Sequence, residues 1–255
     1  MLVRTLEDLS TLGRIRFPAD ESFRSARFLT ADDGMGFSYN ENRVKRGTVL
    51  PVWLKHHWEA NYIVSGRGKV TDLSSNESWE LEPELLYVVG PNDRHRLEFS
   101  EDECHISIFF PPLTGNERFD EDGSYEPSGP APVTDRRMFA RHVKECRREG
   151  KETLSESGQV RSVSLLEDID EIGFGLTRDT MGAGLEERYS SGQHRVAHHV
   201  IAGTGEVTDT ASGQTWALDP SVSFSAKTGT DYWVRARTRL QLLRISSPPT
   251  TIDVQ

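Results

Sequence analysis

Short apolar runs separated by turn residues recur along the whole chain. Asn61, Tyr62, Ile63 and Val64 precede Gly66 and Gly68, which suit a turn needing positive φ, and Val70 and Leu73 continue on the far side. Further short runs follow at residues 85–89, at Leu97 and Phe99, and at Ile106, Ile108 and Phe110, the last with a period of two. Many short strands with turns between them predict an all-β sandwich or closed barrel. The pattern switches once. Over residues 136–148, Phe139, Val143 and Cys146 recur at helical spacing beside Arg and Lys, which predicts an amphipathic helix packed on a barrel wall.

The pattern is also a repeat. Shifted by 137 positions, the run Gly66 to Asp72 (GRGKVTD) falls on Gly203 to Asp209 (GTGEVTD) without a gap. In the same register Trp79, Leu81 and Pro83 fall on Trp216, Leu218 and Pro220, and His57 and Ala60 on His194 and Ala197. A Gly-x-Gly hairpin followed by a Pro-containing turn before a strand is the usual look of a cupin, a small jelly-roll barrel. The chain therefore reads as two tandem cupin β-barrels with a short connecting helix. The expected division is a catalytic cupin at 1–132, a linker and amphipathic helix at 133–158, and a second, degenerate cupin at 159–255. Residues 113–135 are rich in Gly, Pro, Asp and Glu, and composition alone makes them a loop or linker.

Composition narrows the function classes. The 255 residues carry a net charge of −10, and no basic stripe exists to neutralise phosphates, so nucleic acid is not an expected partner. Two cysteines make no disulfide framework, the start has no charged-then-apolar leader pattern, and no apolar run approaches the ~20 residues that span a bilayer. A cytoplasmic protein without a membrane partner is expected.

The repeat offers an internal control for chemistry. Glu59 becomes Val196, Tyr87 becomes Phe224, His95 becomes Tyr232 and Arg27 becomes Ser164, while the Gly, Trp and Pro framework persists. A barrel needs its framework in both copies, but a metal needs its ligands in only one. Glu59, Tyr87 and His95 are thus candidate metal ligands, an O/O/N set suited to Fe(2+) or, less well, zinc or another divalent ion. Tyr87 would bind as phenolate only with its pKa lowered, which a dication supplies. A rival site uses His194 and His198, four apart and so on one face of a strand, with Glu186 or Glu187 nearby; His198 and His199 point to opposite faces.

The run KHHWEANYIVSGRGKV, the spacing of Glu59, Tyr87 and His95, and above all LTGNERFDEDGSY at 113–125 resemble ectoine synthase. The resemblance covers most of residues 1 to about 128. It implies a single-cupin carbon–oxygen lyase, usually dimeric. Such an enzyme closes an N-acetyl-2,4-diaminobutyrate to a cyclic amidine by attack of the free α-amine on the acetamide carbonyl and loss of water. It implies iron on Glu59, Tyr87 and His95, with Tyr87 also in a catalytic role, and Arg27 paired with the substrate carboxylate. Asn40 and Phe109 fall on pocket positions, and Glu117 is a candidate for moving the α-amine proton.

The chain departs from the family where the family carries tryptophan, threonine, cysteine and histidine; here stand Phe23, Asn42, Ser107 and Phe119. These departures, and the fused second cupin, leave two other readings open. One is a diverged enzyme acting on another amino-acid-derived substrate in a specialised pathway; the other is a non-catalytic bicupin that binds an ectoine-like solute. The second copy is expected to stand where the second protomer of the family dimer stands, giving an intramolecular pseudo-dimer, and a homodimer of the whole chain is compatible with that arrangement.

Overall fold

The computed structural model describes residues 1–18, 20–118, 120–122, 124–130, 133 and 135–248. They form two compact units, one of Leu9–His142 and one of Met1–Asp8 with Val143–Gln255. In chain order, β1 (Leu2–Arg4) and helix α1 (Leu6–Thr11) precede β2 (Ile15–Arg16), β3 (Phe23–Leu29), β4 (Ser38–Val44) and β5 (Val49–Val52). Then come β6 (Trp58–Ser65), β7 (Gly68–Asp72), β8 (Ser78–Leu81), β9 (Leu85–Val89), β10 (His95–Phe99), β11 (Glu103–Phe110) and β12 (Phe139–His142).

The unit of Leu9–His142 consists of a seven-stranded sheet in the order β12-β9-β6-β11-β4-β3-β2 and a four-stranded sheet in the order β5-β10-β7-β8. Every pairing is antiparallel. Val44, Ile63, Val70, Leu81, Tyr87, Val89, Leu97 and Phe99 form its buried cluster. The hairpin between β6 and β7 depends on Gly66, which sits at φ 87°. A Cβ there would lie 2.3 Å from the Asp102 carbonyl oxygen. Gly203 repeats both features, at φ 83° and 2.0 Å from the Arg239 carbonyl oxygen, so the shared Gly-x-Gly is framework.

The second unit repeats the first. Helix α2 (Val143–Arg148) leads into β13 (Glu152–Leu154), β14 (Val160–Leu166), β15 (Gly175–Met181), β16 (Glu186–Ser190) and β17 (Arg195–Ala202). They are followed by β18 (Gly205–Asp209), β19 (Thr215–Leu218), β20 (Ser223–Ala226), β21 (Asp231–Ala236) and β22 (Leu240–Ser247). Its sheets run β1-β20-β17-β22-β15-β14-β13 and β16-β21-β18-β19, the same order strand for strand. The tandem, nearly all-β architecture expected from the repeat is the one observed.

The edge strands are exchanged. β1, from the start of the first repeat, pairs with β20 as Val3↔Phe224; β12, at the equivalent place in the second repeat, pairs with β9 as Ala140↔Tyr87. Each pair differs from the other by the same 137 positions, so register as well as topology is repeated. Two expectations change accordingly. The compact units divide after residue 8 and after residue 142 rather than around a separate linker, because the opening strand of each repeat completes the other repeat's barrel. Of the helix expected over residues 136–148, only Val143–Arg148 is helical. Phe139 and Ala140 join the sheet instead, where ladder hydrogen bonds and packing against Tyr87 and Val88 override a short helical periodicity.

Residues 113–135 are likewise more than a linker where they are described. Lys55 Nζ bonds Asp120 Oδ2 at 2.7 Å and also reaches Asp122, while the Lys55 backbone N–H donates to Ser124 Oγ at 3.0 Å. Charged and turn-forming residues that read as solvated loop from composition are the anchors that fasten this segment to the first barrel. Among the described residues no helix is long and apolar enough to cross a membrane.

Candidate active site

The first barrel holds a cavity of about 250 Å³ between its two sheets. Strand alternation decides what faces it. On β6, Glu59 and Asn61 lie on one face; Tyr87 on β9 pairs directly with Asn61, and Phe109 on β11 with Glu59. His105, Ser107 and Phe109 alternate along β11 opposite Asn42, Asn40 and Ser38 of β4. From the other sheet come Leu50 and Val52 of β5 and His95, Leu97 and Phe99 of β10. The cavity therefore has one polar wall and one mostly apolar wall.

Glu59, Tyr87 and His95 all line this cavity, as do Phe23, Asn40, Asn42 and Phe109. The Tyr87 and His95 rings meet at 62° with centroids 6.4 Å apart. His95 is fully buried, its Nδ1 facing the Asp93 carbonyl oxygen at 3.3 Å and its Nε2 without a hydrogen-bond partner. That is how a metal-binding imidazole is commonly held, one nitrogen oriented by a carbonyl and the other left to donate its lone pair. Burial pushes the His95 pKa down to about 4, against the Asp93 hydrogen bond and the Asp72 charge, so the ring stays neutral and ligand-ready.

The two oxygen donors show the complementary strain. Burial raises the Glu59 pKa, opposed by His105 and by hydrogen bonds from Asn61 and Ser107. Burial, then the charges of Glu59 and Glu103, hold the Tyr87 phenol well above its ordinary value. Carboxylate and phenolate disfavour each other here, and a cation held between them reverses both preferences. Carboxylate, phenol and an unpartnered imidazole nitrogen on one cavity fit a divalent metal. Among the described residues no group of three His, Cys, Asp or Glu side chains is placed to hold a metal, so the phenol is essential to any such set.

Arg27 and Glu117 are brought together, but beside the cavity lining rather than in it. Arg27 Nη1 and Glu117 Oε2 form an ion pair at 2.6 Å, with 9% and 2% of their side chains exposed. Glu117 also accepts from the Gly115 backbone N–H and the Thr114 hydroxyl. Burial alone would raise Glu117, but the Gly115 N–H and the Arg27 charge prevail and hold its carboxyl below the usual 4.5. Such a group contributes stability above pH 4.5 and loses it as pH falls through the folded value. Glu117→Gln is accordingly expected to destabilise the protein by about 3 kcal/mol at neutral pH by leaving Arg27 unpaired. The deficit should shrink in acid; a difference from wild type independent of pH in thermal melts would contradict this role.

Ser107 is buried behind the lining, donating to Asn61 Oδ1 and accepting from Asn42 Nδ2 at 2.9 Å. Phe119 lies outside the described residues. The rival histidine site does not assemble among them. His194 precedes β17 and faces the Pro248 carbonyl, His198 Nε2 is held by the Tyr232 hydroxyl at 2.7 Å, and Glu187 is taken by Ser155 and Ser157. Three polar lining residues were not singled out as site candidates from the sequence: Ser25, His105 and Tyr125. The repeat contains the signal for one of them, since His105 and its neighbour Glu103 become Leu242 and Leu240.

In the second barrel the equivalent space is filled. Tyr189 stacks on Tyr232 at 5.4 Å, His198 stacks on Phe224 at 4.5 Å, and a buried Arg244–Asp179 ion pair closes at 2.9 Å. Asp179 and Arg244 stand where the first barrel has Asn42 and Ser107. Aromatic packing and an internal charge pair replace the cavity wall.

Comparison with known proteins gives the family and the fold. The ectoine synthase family model matches twice, over residues 1–129 and 138–253. An L-ectoine synthase of Desulfosudis oleivorans is 41% identical over 127 residues, 49% of this chain and 97% of its own length. One from Mycobacterium sp. (strain KMS) is 38% identical over 133 residues, 52% of this chain and 98% of its own. Among solved structures, oxalate decarboxylase of Lactobacillus farciminis superposes with a TM-score of 0.72, covering 100% of this chain and 88% of its own at 13% identity, a likeness of fold. With both repeats matched by one family and the whole chain matched in fold by a two-domain neighbour, the protein belongs to the ectoine synthase family of lyases and carries its cupin twice.

Proposed function

We propose that the barrel of residues 9–142 closes an N-acetyl-2,4-diaminobutyrate-type substrate to a cyclic amidine with loss of water. In this reading Glu59, Tyr87 and His95 hold an Fe(2+) ion, zinc or another divalent ion being the alternative. The observation that carries it is the convergence of Glu59, Tyr87 and the partnerless Nε2 of His95 on one cavity, all three replaced in the filled second barrel. The bound ion supplies Lewis acidity toward the amide oxygen, a need set by the poor electrophilicity of an amide carbonyl.

The chain's own residues supply binding and alignment. A cavity of about 250 Å³ suits an amino-acid-sized substrate folded so that its amine and acetyl carbon approach each other. Arg27, next to Tyr125 of the lining and with its Nε unpartnered, receives the substrate carboxylate in competition with Glu117. Leu50, Val52 and Phe109 pack the acetyl methyl and keep bulk water from the reacting carbon. Asn40 and Asn42 hydrogen-bond the polar edge of the substrate.

The test is incubation of Fe(II)-loaded protein with Nγ-acetyl-2,4-diaminobutyrate, followed by mass spectrometry for ectoine. Turnover supports the reading; tight ectoine binding without turnover makes the protein a solute-binding relative instead. The polar row formed by Asn42, His105 and Ser107 favours a second reading, a relative acting on a more polar amino-acid-derived substrate. Closure of a hydroxylated analogue in preference to the parent substrate would select it.

A further inference from the structure

Of the residues lining the cavity, five titrate: Glu59, Tyr87, His95, His105 and Tyr125. The first three are assigned to the metal. Burial pushes the Tyr125 phenol up to about 12, and Glu117 is fastened to Arg27 away from the lining. One proton-carrying group is left, and its surroundings are built. His105 Nδ1 lies 2.7 Å from Glu103 Oε2, both residues almost wholly buried, so the ring's Nδ1–H donates to a carboxylate that fixes its orientation. On the other edge Nε2 accepts from Asn42 Nδ2 at 3.1 Å; Asn42 donates again to Ser107 Oγ, and Ser107 to Asn61 Oδ1. Each donated hydrogen in this row has one acceptor, the two of Asn42 Nδ2 going to His105 and Ser107, and the row ends beside Tyr87, the strand partner of Asn61. Glu103 also borders a wider groove of about 440 Å³ that includes Phe17, Arg24 and Lys45.

The fold does not require this pair. At the same two positions of β22 the second barrel has Leu240 and Leu242, both buried in its apolar core. Burying a carboxylate and an imidazole where leucines serve is costly unless the pair has a use.

We propose that His105, oriented by Glu103, carries the protons of the ring closure in this cavity. The inference rests on the ring-closing reading of the first barrel. Amidine formation moves two protons from the α-amine nitrogen to the departing oxygen. One leaves as the C–N bond forms; the other leaves as the C–O bond breaks and the C=N bond is completed. The imidazole takes each proton at Nε2, displacing the Asn42 contact, and returns it to the oxygen. Water departs, the ring ends as it began, and nothing is oxidised or reduced.

His105 is suited to the task. Burial alone would lower its pKa, but the Glu103 charge and hydrogen bond, with the Glu59 charge added, hold it above 6.5. The groups that face it are Glu103 on its own strand, Asn42 from β4, Glu59 from β6 and His95 across the cavity from β10. Glu103 acts through His105 and is a positioning residue.

Two variants and two readouts test the assignment on the full-length, metal-loaded protein. His105→Gln is expected to lower kcat by about 10²–10⁴-fold with metal content and KM unchanged. Glu103→Gln removes the charge that favours imidazolium. It is expected to move the His105 limb of the pH–rate profile, and the His105 titration followed by NMR in the zinc form, to lower pH by about 1–3 units. Full kcat in His105→Gln, or an unchanged titration in Glu103→Gln, overturns the proposal. If wild-type protein closes no ring, the functional reading fails and this role of His105 falls with it; ring closure at full kcat in His105→Gln fails this role alone.

Discussion

His95→Ala is expected to strip the protein of its metal and to lower ring closure by more than about 100-fold, beyond the 10–100-fold typical of losing an outer partner of a metal ligand. In the proposed metal set His95 is the neutral nitrogen donor, with Nδ1 facing the Asp93 carbonyl and the ring buried so that no other group uses Nε2. Without it, Glu59 and Tyr87 face each other with burial favouring their protonated forms, and a two-oxygen site competes poorly with water for a dication. Metal analysis after gel filtration, alongside the ectoine assay, reads both effects. A full equivalent of metal retained in His95→Ala would remove this residue from the ligand set. Tyr232→His, the converse change in the second barrel, should bind nothing new, because Val196 and Phe224 offer no further donors there.

Arg244→Met is expected to destabilise the protein by about 3–5 kcal/mol, although it lies in the barrel to which no chemistry is assigned. Arg244 and Asp179 form a buried pair, Nε to Oδ2 at 2.9 Å and Nη2 to Oδ1 at 3.3 Å, with side chains 5% and 2% exposed. Removing the cation leaves the Asp179 carboxylate with the Ser162 hydroxyl at 2.7 Å and no neutralising charge. Removing both members differs, because a well-packed apolar pair avoids the desolvation of two ions. Asp179→Leu with Arg244→Met should therefore recover most of the loss. Denaturant melts of the single and double variants decide it. Equal destabilisation in both would mean that shape, and not charge pairing, is what this position contributes.

The repeat made the fold legible, and the reasons are local. Gly66 and Gly203 occupy the same left-handed turn against the same neighbouring strand, so both copies keep them, and a fixed offset exposes what both barrels need. The same offset picked out Glu59, Tyr87 and His95, since residues present only for a site are free to change where there is none. It could equally have identified Glu103 and His105, whose partners Leu240 and Leu242 are visible in the sequence; what was missing was any reason to place them on the cavity face. Lys55 falls on Gly192, but a single lysine gave no reason to look for its partners, and the offset places no residue opposite Tyr125.

By itself the sequence determined two like barrels, the framework residues of each, and which copy keeps the polar set, because periodicity and a gapless repeat are properties of the linear chain. Tertiary structure alone decided three further things. The opening strand of each repeat pairs in the other repeat's barrel, a choice made by sheet edges that no local pattern records. Arg27 and Glu117, 90 residues apart, neutralise each other beside the cavity, so a charge that reads as available is already engaged. And His105 faces inward with Glu103 behind it, because alternation along β11 fixes the face of every side chain once a single register is set.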